Sequence, residues 1–274
     1  MNTLQISVIV TTYNWPEALD RVLSALSHQD YRNFEVIVAD DGSTDATKAV
    51  IENHQKKQSY ALHHVWQADE GFRAAAIRNK AIIQASGEYI VFLDGDCIPR
   101  SHFLSRHAQL SEPRWFVTGN RVLLSQPFTD KLILTQQYIE DNNFIQLIQL
   151  RIMGKINRIT PLIKLPPGNW RYKNREKWEG AITCNLAVWR DDLYKINGFN
   201  QQYHGWGYED SDLVIRLINS GKHRKEGRYA VGVIHLWHKE NDRNLSDINI
   251  NLLKNSIQNK TTITNTGIKN YGTD

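Results

Sequence analysis

The chain has 274 residues, with 33 Lys plus Arg against 29 Asp plus Glu, and a formal charge of +4. Apolar residues make up 41% and charged residues 23%, which is ordinary for a globular protein and excludes a disordered one. Two cysteines, Cys97 and Cys184, exclude a disulfide framework and a four-cysteine zinc site, and no apolar run reaches the ~20 residues that span a bilayer.

Residues 1–14 carry no basic segment ahead of their apolar stretch, which argues against a signal peptide and for a cytoplasmic protein. Charge is uneven. Residues 151–178 hold eight basic residues and one acid, Glu176, a local charge of +7 that leaves −3 for the rest. Such a patch on a near-neutral body suits an anionic partner and not a general polyanion binder, so no nucleic-acid partner is expected. The alternative is an ordinary solvated face.

The first hundred residues alternate strand-like and helix-like patterns. Residues 6–12 (ISVIVTT) form a β-branched run suited to a strand buried on both faces. Residues 16–26 place apolar side chains at helical spacing. A second strand is expected at 34–39 (FEVIVA), a helix at 46–54, a third strand at 61–67, a helix at 71–85, and a fourth strand at 89–93 (YIVFL). This alternation predicts βαβ units and a mainly parallel sheet. Beyond Pro99 the rhythm changes. A strand is expected at 116–124, one long helix at 131–153, a loop at 160–178, strands at 181–189 and 229–237, and a helix at 210–219. A last helix is expected from the apolar period Leu245, Ile248, Leu252 and Leu253.

Five polar turns carry the chemistry. Asp94-Gly95-Asp96 follows the apolar strand YIVFL, where open α/β sheets bind ligands. Two carboxylates there can hold Mg²⁺ or Mn²⁺, and Gly95 lets the backbone approach closely; a plain turn is the alternative. Asp40-Asp41-Gly42-Ser43-Thr44-Asp45 follows the second strand. One acid there suits a base or ribose, while Ser43 or Thr44 suits a helix cap. Thr11-Thr12-Tyr13-Asn14 follows the first strand, so three polar turns converge on one sheet edge. Residues 205–212 (GWGYEDSD) open a helix with acids, which favour its N-terminus, or supply a general base and an acceptor-binding acid beside the flat ring of Trp206. His235-Leu236-Trp237-His238 follows a strand and offers a nitrogen ligand to a metal on Asp96.

Together, SVIVTTYN, ADDGSTD, EGFRAAAIRNK and FLDGDC resemble the nucleotide-binding half of family 2 glycosyltransferases with the GT-A fold. HGWGYEDSD and IHLWHKEN resemble the acceptor half shared by β-1,4-galactosyltransferases and bacterial chondroitin-type polymerases. The matches run from Ile6 to Asn241 in the family's order and skip residues 120–180. The resemblance implies a single domain over 1–240, with a nucleotide-sugar half (1–100), an acceptor half (101–240) and a helical tail (241–274). It implies that Thr12, Tyr13, Asn14 and Asp41 hold the uridine, and that Arg78 approaches the nucleotide or its phosphates. Asp94 and Gly95 would meet the ribose or sugar, and Asp96 would bind Mn²⁺ or Mg²⁺. Asp210 would be the base, with Glu209 and Trp206 on the acceptor. The spacing to Lys239 and Asn241 favours His235 as the metal ligand, with His238 as the alternative.

These roles describe an inverting, metal-dependent transfer from a UDP-sugar (Gal, GalNAc, GlcNAc or Glc) to a glycan or lipid-linked acceptor, in bacterial surface polysaccharide synthesis. The competing readings are a sugar nucleotidyltransferase, a retaining enzyme on the same fold, and a non-catalytic sugar-nucleotide or glycan-binding module. The first lacks its Gly/Lys-rich loop here, and a binder has no need of Asp96, Asp210 and His235 together. A dinucleotide oxidoreductase is excluded by the missing G-x-G-x-x-G. The basic window and its apolar neighbours Ile152, Ile156, Ile159, Leu162, Ile163 and Leu165 suit peripheral association with an inner membrane.

Overall fold

The computed structural model describes residues 3–57, 60–239 and 246–272. Four parallel strands form one side of a seven-stranded sheet: β1 (Ile6–Thr12), β2 (Phe34–Asp40), β3 (Ala61–Trp66) and β4 (Tyr89–Asp94). Helices α1 (Pro16–Ser27), α2 (Asp45–Gln55) and α3 (Ala74–Gln84) connect them. Then come β5 (Cys97–Pro99), α4 (Phe103–Leu110), β6 (Trp115–Thr118), β7 (Arg121–Leu123), α5 (Gln126–Thr135) and α6 (Phe144–Ile152). The chain continues with β8 (Asn185–Trp189), α7 (Arg190–Lys195), α8 (Glu209–Asn219), β9 (His223–Glu226), β10 (Val233–His235) and α9 (Ser246–Gln258).

The large sheet runs β3-β2-β1-β4-β8-β6-β9, with β8 antiparallel to β4 and to β6. Alternation along the strands sends Val8, Val36 and Val91 to one face, against α1 and α4. Ile9, Ile37 and Phe92 go to the other, against α3 and α8. Burial on both faces is why β1, β2 and β4 read as continuous apolar runs. The result is the mixed α/β architecture of the GT-A fold. Strand order reverses between β1 and β4, which makes the carboxyl ends of those two strands the natural ligand crevice.

A second sheet, β5-β10-β7, stands over that crevice and sets His235 opposite Cys97, next to Asp96. Both cysteines are buried, and burial pushes the Cys97 thiol up.

The second half corrects several expectations. The strand expected at 116–124 is two strands, β6 and β7, which belong to different sheets. They part at Gly119, where a Cβ would lie 2.2 Å from the Asn185 amide. The long helix expected at 131–153 is α5 and α6. Gln136 closes α5 in the left-handed region at φ +52°, and Asn143 opens α6 with a capping box to Gln146. Buried Arg21 bonds the Gln137 carbonyl at 2.8 Å and pairs with Glu140, which fixes the connector. The loop at 160–178 contains two 3₁₀ turns, 160–162 and 169–172. Strands expected at 181–189 and 229–237 shorten to β8 and β10, while β5, α4, α7 and β9 were not anticipated.

In the basic window, Arg171 is no solvated charge: it is buried and donates to the Glu226 and Arg228 carbonyls. Of the six apolar neighbours, Ile156 and Leu162 are core residues and Ile159 packs on the core. The tail helix α9 packs on α8 through Ser256 Oγ, which donates to Asp212 at 2.6 Å. Leu245 and Asn241 lie outside the described residues. Among those residues no helix is long and apolar enough to cross a membrane.

Candidate active site

The crevice opens into a cleft of about 860 Å³ lined by the ends of β1 and β4, by β7, by the start of α8 and by the segment after β10. Its floor is a close backbone crossing. Gly95 N–H donates to the Thr11 carbonyl at 2.7 Å, and a Cβ on Gly95 would sit 3.0 Å from that oxygen and 3.1 Å from the Thr12 side chain.

At one end Asp96 faces two histidines. Its Oδ2 lies 3.4 Å from His235 Nε2 and 3.2 Å from His238 Nε2, and its Oδ1 is buried with no hydrogen-bond partner among the described residues. One ligand atom from each of the three residues falls within 4.8 Å of the others. His238 Nδ1 lies 2.7 Å from the Lys239 carbonyl, so that nitrogen is the donor, and in the neutral ring Nε2 then turns its lone pair to the carboxylate. Two acceptors face one another, which demands a proton or a cation between them. The Asp96 hydrogen bond raises the His238 pKa, whereas burial lowers that of His235. A carboxylate with two imidazoles fits a divalent cation and favours Mn²⁺ over Mg²⁺, which prefers oxygen ligands. Both His235 and His238 face Asp96, so the geometry keeps both as candidate ligands.

At the other end one buried guanidinium holds the carboxylates together. Arg78 donates to Thr11 Oγ1 at 3.0 Å, Glu209 Oε1 at 3.0 Å and Asp94 Oδ1 at 3.3 Å. Each nitrogen of its fork thus makes one bond inside the protein, which uses three of its five N–H groups, and Arg78 lines the cleft. Burial pushes the Asp94 carboxyl up to about 6 although Arg78 opposes it. Asp210, next to Glu209 and without a guanidinium of its own, is pushed up to about 7 by burial and by the Glu209 charge. Its Oδ1 accepts the Ser211 N–H at 2.7 Å.

The other anticipated residues divide. Thr12, Tyr13, Asp41 and Trp206 line the cleft. Tyr13 donates to Asp69 at 2.8 Å. Asp41 is buried, with Oδ1 accepting from Gln67 and Oδ2 from the Arg73 N–H. Asn14 is absent from the lining: its side-chain oxygen accepts the Thr44 N–H at 2.9 Å, joining the first turn to the second. Thr44 stands at the N-cap of α2 but makes no side-chain cap hydrogen bond, and Ser43 Oγ accepts from the Asn14 N–H. Asp212 of the acidic cluster binds Arg216 at 2.7 Å and is structural.

Sequence reasoning missed Arg121, Trp15, Phe72 and Trp237, all of which line the cleft. Arg121 shares the strand face of Leu123, and its guanidinium makes no hydrogen bond among the described residues. It feels Asp94 and Asp96 only through space. Its signal was an arginine at odd register in a short strand, hidden because β6 and β7 read as one run. Also missed was Asn249 of α9, whose amide bonds the His204 and Gly207 carbonyls at 2.9 and 3.1 Å and braces the loop carrying Trp206.

Residues 7–161 match the Glycosyl transferase family 2, and residues 168–239 match the N-terminal domain of galactosyltransferase. The chain is 26% identical over 262 residues to a validoxylamine A glucosyltransferase of Streptomyces hygroscopicus, covering 90% of this chain and 59% of that one. It is 26% identical over 230 residues to a chondroitin synthase of Pasteurella multocida, covering 79% and 23%. It therefore spans under two thirds of both relatives. Among solved structures, a mannosyltransferase from Pyrobaculum calidifontis in complex with GDP-Man and Mn²⁺ superposes at TM-score 0.61 and 20% identity, over 88% of this chain and 59% of that one. S. aureus TarS in complex with UDP superposes at 0.60 and 15%, over 97% and 68%. These two likenesses are of fold. With more than half of its length matching the family, the chain belongs to glycosyl transferase family 2.

Proposed function

We propose that the protein transfers a hexosyl group (Gal, GalNAc, GlcNAc or Glc) from a UDP-sugar to a hydroxyl of a glycan or lipid-linked glycan, with inversion, in polysaccharide synthesis. One observation carries this reading. A single cleft pairs a cation-type donor set, Asp96, His235 and His238, with a carboxylate, Asp210, poised near pH 7. A plain binding module needs neither. The neighbours solved with GDP-Man and Mn²⁺ or with UDP support a nucleotide-sugar donor, and the chondroitin synthase and glucosyltransferase relatives support a glycan or sugar acceptor.

Asp96, His235 and His238 would hold Mn²⁺ or Mg²⁺, which when bound neutralises the diphosphate and stabilises UDP as the leaving group. Thr12, Tyr13 and Asp41 border the nucleoside side of the cleft. Arg78 bonds Asp94 and Glu209 and orients them, and Arg121, which also lines the cleft, supplies a second cation facing the diphosphate. Glu209 and Trp206 hold the acceptor. Asp210 removes the proton from its hydroxyl as that oxygen attacks the anomeric carbon, opposite the departing phosphate. The 1–240 catalytic portion and its helical tail act as one unit, because Asn249 braces the acceptor loop. A peripheral place at a bilayer belongs to the same reading, since a lipid-linked acceptor is met there.

The test is calorimetry of UDP with Mn²⁺ and with EDTA, on wild type and Asp96→Asn. Metal-dependent binding lost in the variant supports the reading. No binding under any metal condition overturns the UDP-sugar donor. Product NMR with a working donor–acceptor pair then reads the anomeric outcome.

A further inference from the structure

Helix α6 is apolar on two sides. Leu147 and Leu150 pack against the core, as an amphipathic helix requires. Yet Ile145 and Ile152, two turns apart on the opposite side, are 68% and 80% exposed, with Phe144 and Met153 exposed beside them. Leu134 and Tyr138, at and just past the end of α5, are exposed as well. Six of the sixteen large apolar side chains exposed among the described residues thus fall within twenty positions, four of them on or next to α6.

The patch is held in place. Arg100 donates to the carbonyls of Glu140, Asn142 and Leu162 at 2.8, 3.2 and 2.8 Å, pinning the chain on both sides of α6. An ordered helix that keeps isoleucines in water has a surface to cover.

The neighbouring charges say which. Arg151, Arg158 and Lys164 are exposed cations in and just after α6, within the window of net charge +7. Apolar side chains that enter a headgroup region, fringed by cations that meet lipid phosphates, match an anionic bilayer. A second copy of the chain fits less well, because a twofold pairing would bring the same cations together. The patch also leads to the cleft. Asn157 Oδ1 accepts the Leu123 N–H at 3.0 Å, and Arg158 donates to the Arg121 carbonyl at 2.8 Å. Leu123 and Arg121 both line the cleft.

We infer that α6 and the basic segment behind it dock the protein on an anionic bilayer, with the cleft opening beside the lipid surface. This rests on the proposed function only for its lipid-linked acceptor and is independent of the donor. The apolar set differs from the one the sequence suggested: Ile156 and Leu162 are core, and α6 supplies the contact.

The experiment is flotation of the full chain with vesicles of phosphatidylcholine alone and with vesicles containing phosphatidylglycerol. Wild type and Ile145→Asp/Ile152→Asp are compared, with UDP calorimetry and melting as fold controls. The wild type is expected to float only with phosphatidylglycerol, and the double variant to partition at least about tenfold less with unchanged melting. Equal flotation of the double variant, no flotation of the wild type, or equal flotation on both vesicles would overturn the inference. So would a dimer in sedimentation that the same substitutions dissolve, which would give the face to a second copy. Loss of UDP binding in both proteins with flotation intact would sink the donor reading and leave the docking face standing.

Discussion

The two ends of the cleft hold similar residues and differ in what they lack. At the Asp96 end, a carboxylate faces two imidazoles, a set that a proton or a cation completes. At the Arg78 end, three carboxylates share one guanidinium that bonds two of them. The cation there is internal, and the surplus acid, Asp210, holds its proton more tightly. The first arrangement suits binding a charge from outside. The second suits moving a proton. Gly95 and the Asp94–Asp96 turn join the two.

The largest expected effect breaks the second end alone. Asp210→Asn keeps shape and removes the base, so turnover should fall by ~10²–10⁴-fold. UDP binding should be retained, as the proposed place of Asp210 on the acceptor side requires. The wild-type rate should fall as the pH drops through about 7, where Asp210 takes up its proton, and the residual rate of the variant should lose that limb. A wild-type profile flat from pH 5 to 8 would count against Asp210 as the base.

The next effect breaks the first end. Asp96→Asn, or EDTA on the wild type, should weaken UDP binding by about 10–100-fold, and His235→Ala and His238→Ala should each do so in part. Calorimetry reads this directly. If Asp96→Asn and Asp210→Asn lose UDP binding equally, the cleft does not divide as described.

A smaller effect sharpens where the cations act. Arg121→Gln should weaken UDP binding by about tenfold, the worth of a charge-assisted hydrogen bond, and leave uridine binding unchanged. Equal loss for UDP and uridine would move Arg121 from the phosphates to general packing.

Much of the first end was legible because it lies on strands buried on both faces. The runs 6–12 and 89–93 can be little else, and a polar turn at the end of each must meet at the sheet edge. The DGD turn and the HLWH segment could be named, but not their meeting, since β10 pairs with β5 across more than a hundred residues. Local pattern failed where distant contacts set the structure. The break at 136–143 depends on Arg21 and Arg100 capturing carbonyls, and no helical period encodes that. The division of β6 from β7 depends on Asn185 crowding Gly119. A motif gives the neighbourhood of Arg78 but not its bonds to Thr11, Glu209 and Asp94, which only the fold brings together.

The smallest effect concerns stability and runs opposite to activity. Burial and the Glu209 charge hold the Asp210 pKa near 7 in the fold, against ~3.9 for an aspartate in an unfolded chain. A raised folded pKa means that the contribution of this group is fully present below pH ~4 and is lost as the pH rises through about 7. At pH 8 the wild type therefore folds against an ionised, poorly neutralised carboxylate, a burden that Asp210→Asn removes. The variant should melt roughly 2–4 °C higher at pH 8. Towards pH 4, where the folded carboxyl is protonated and the unfolded one begins to be, the gap should close. A variant that melts lower at pH 8 would mean that Asp210 is stabilised as an anion in the fold, and the electrostatic ground for its role as base would be gone.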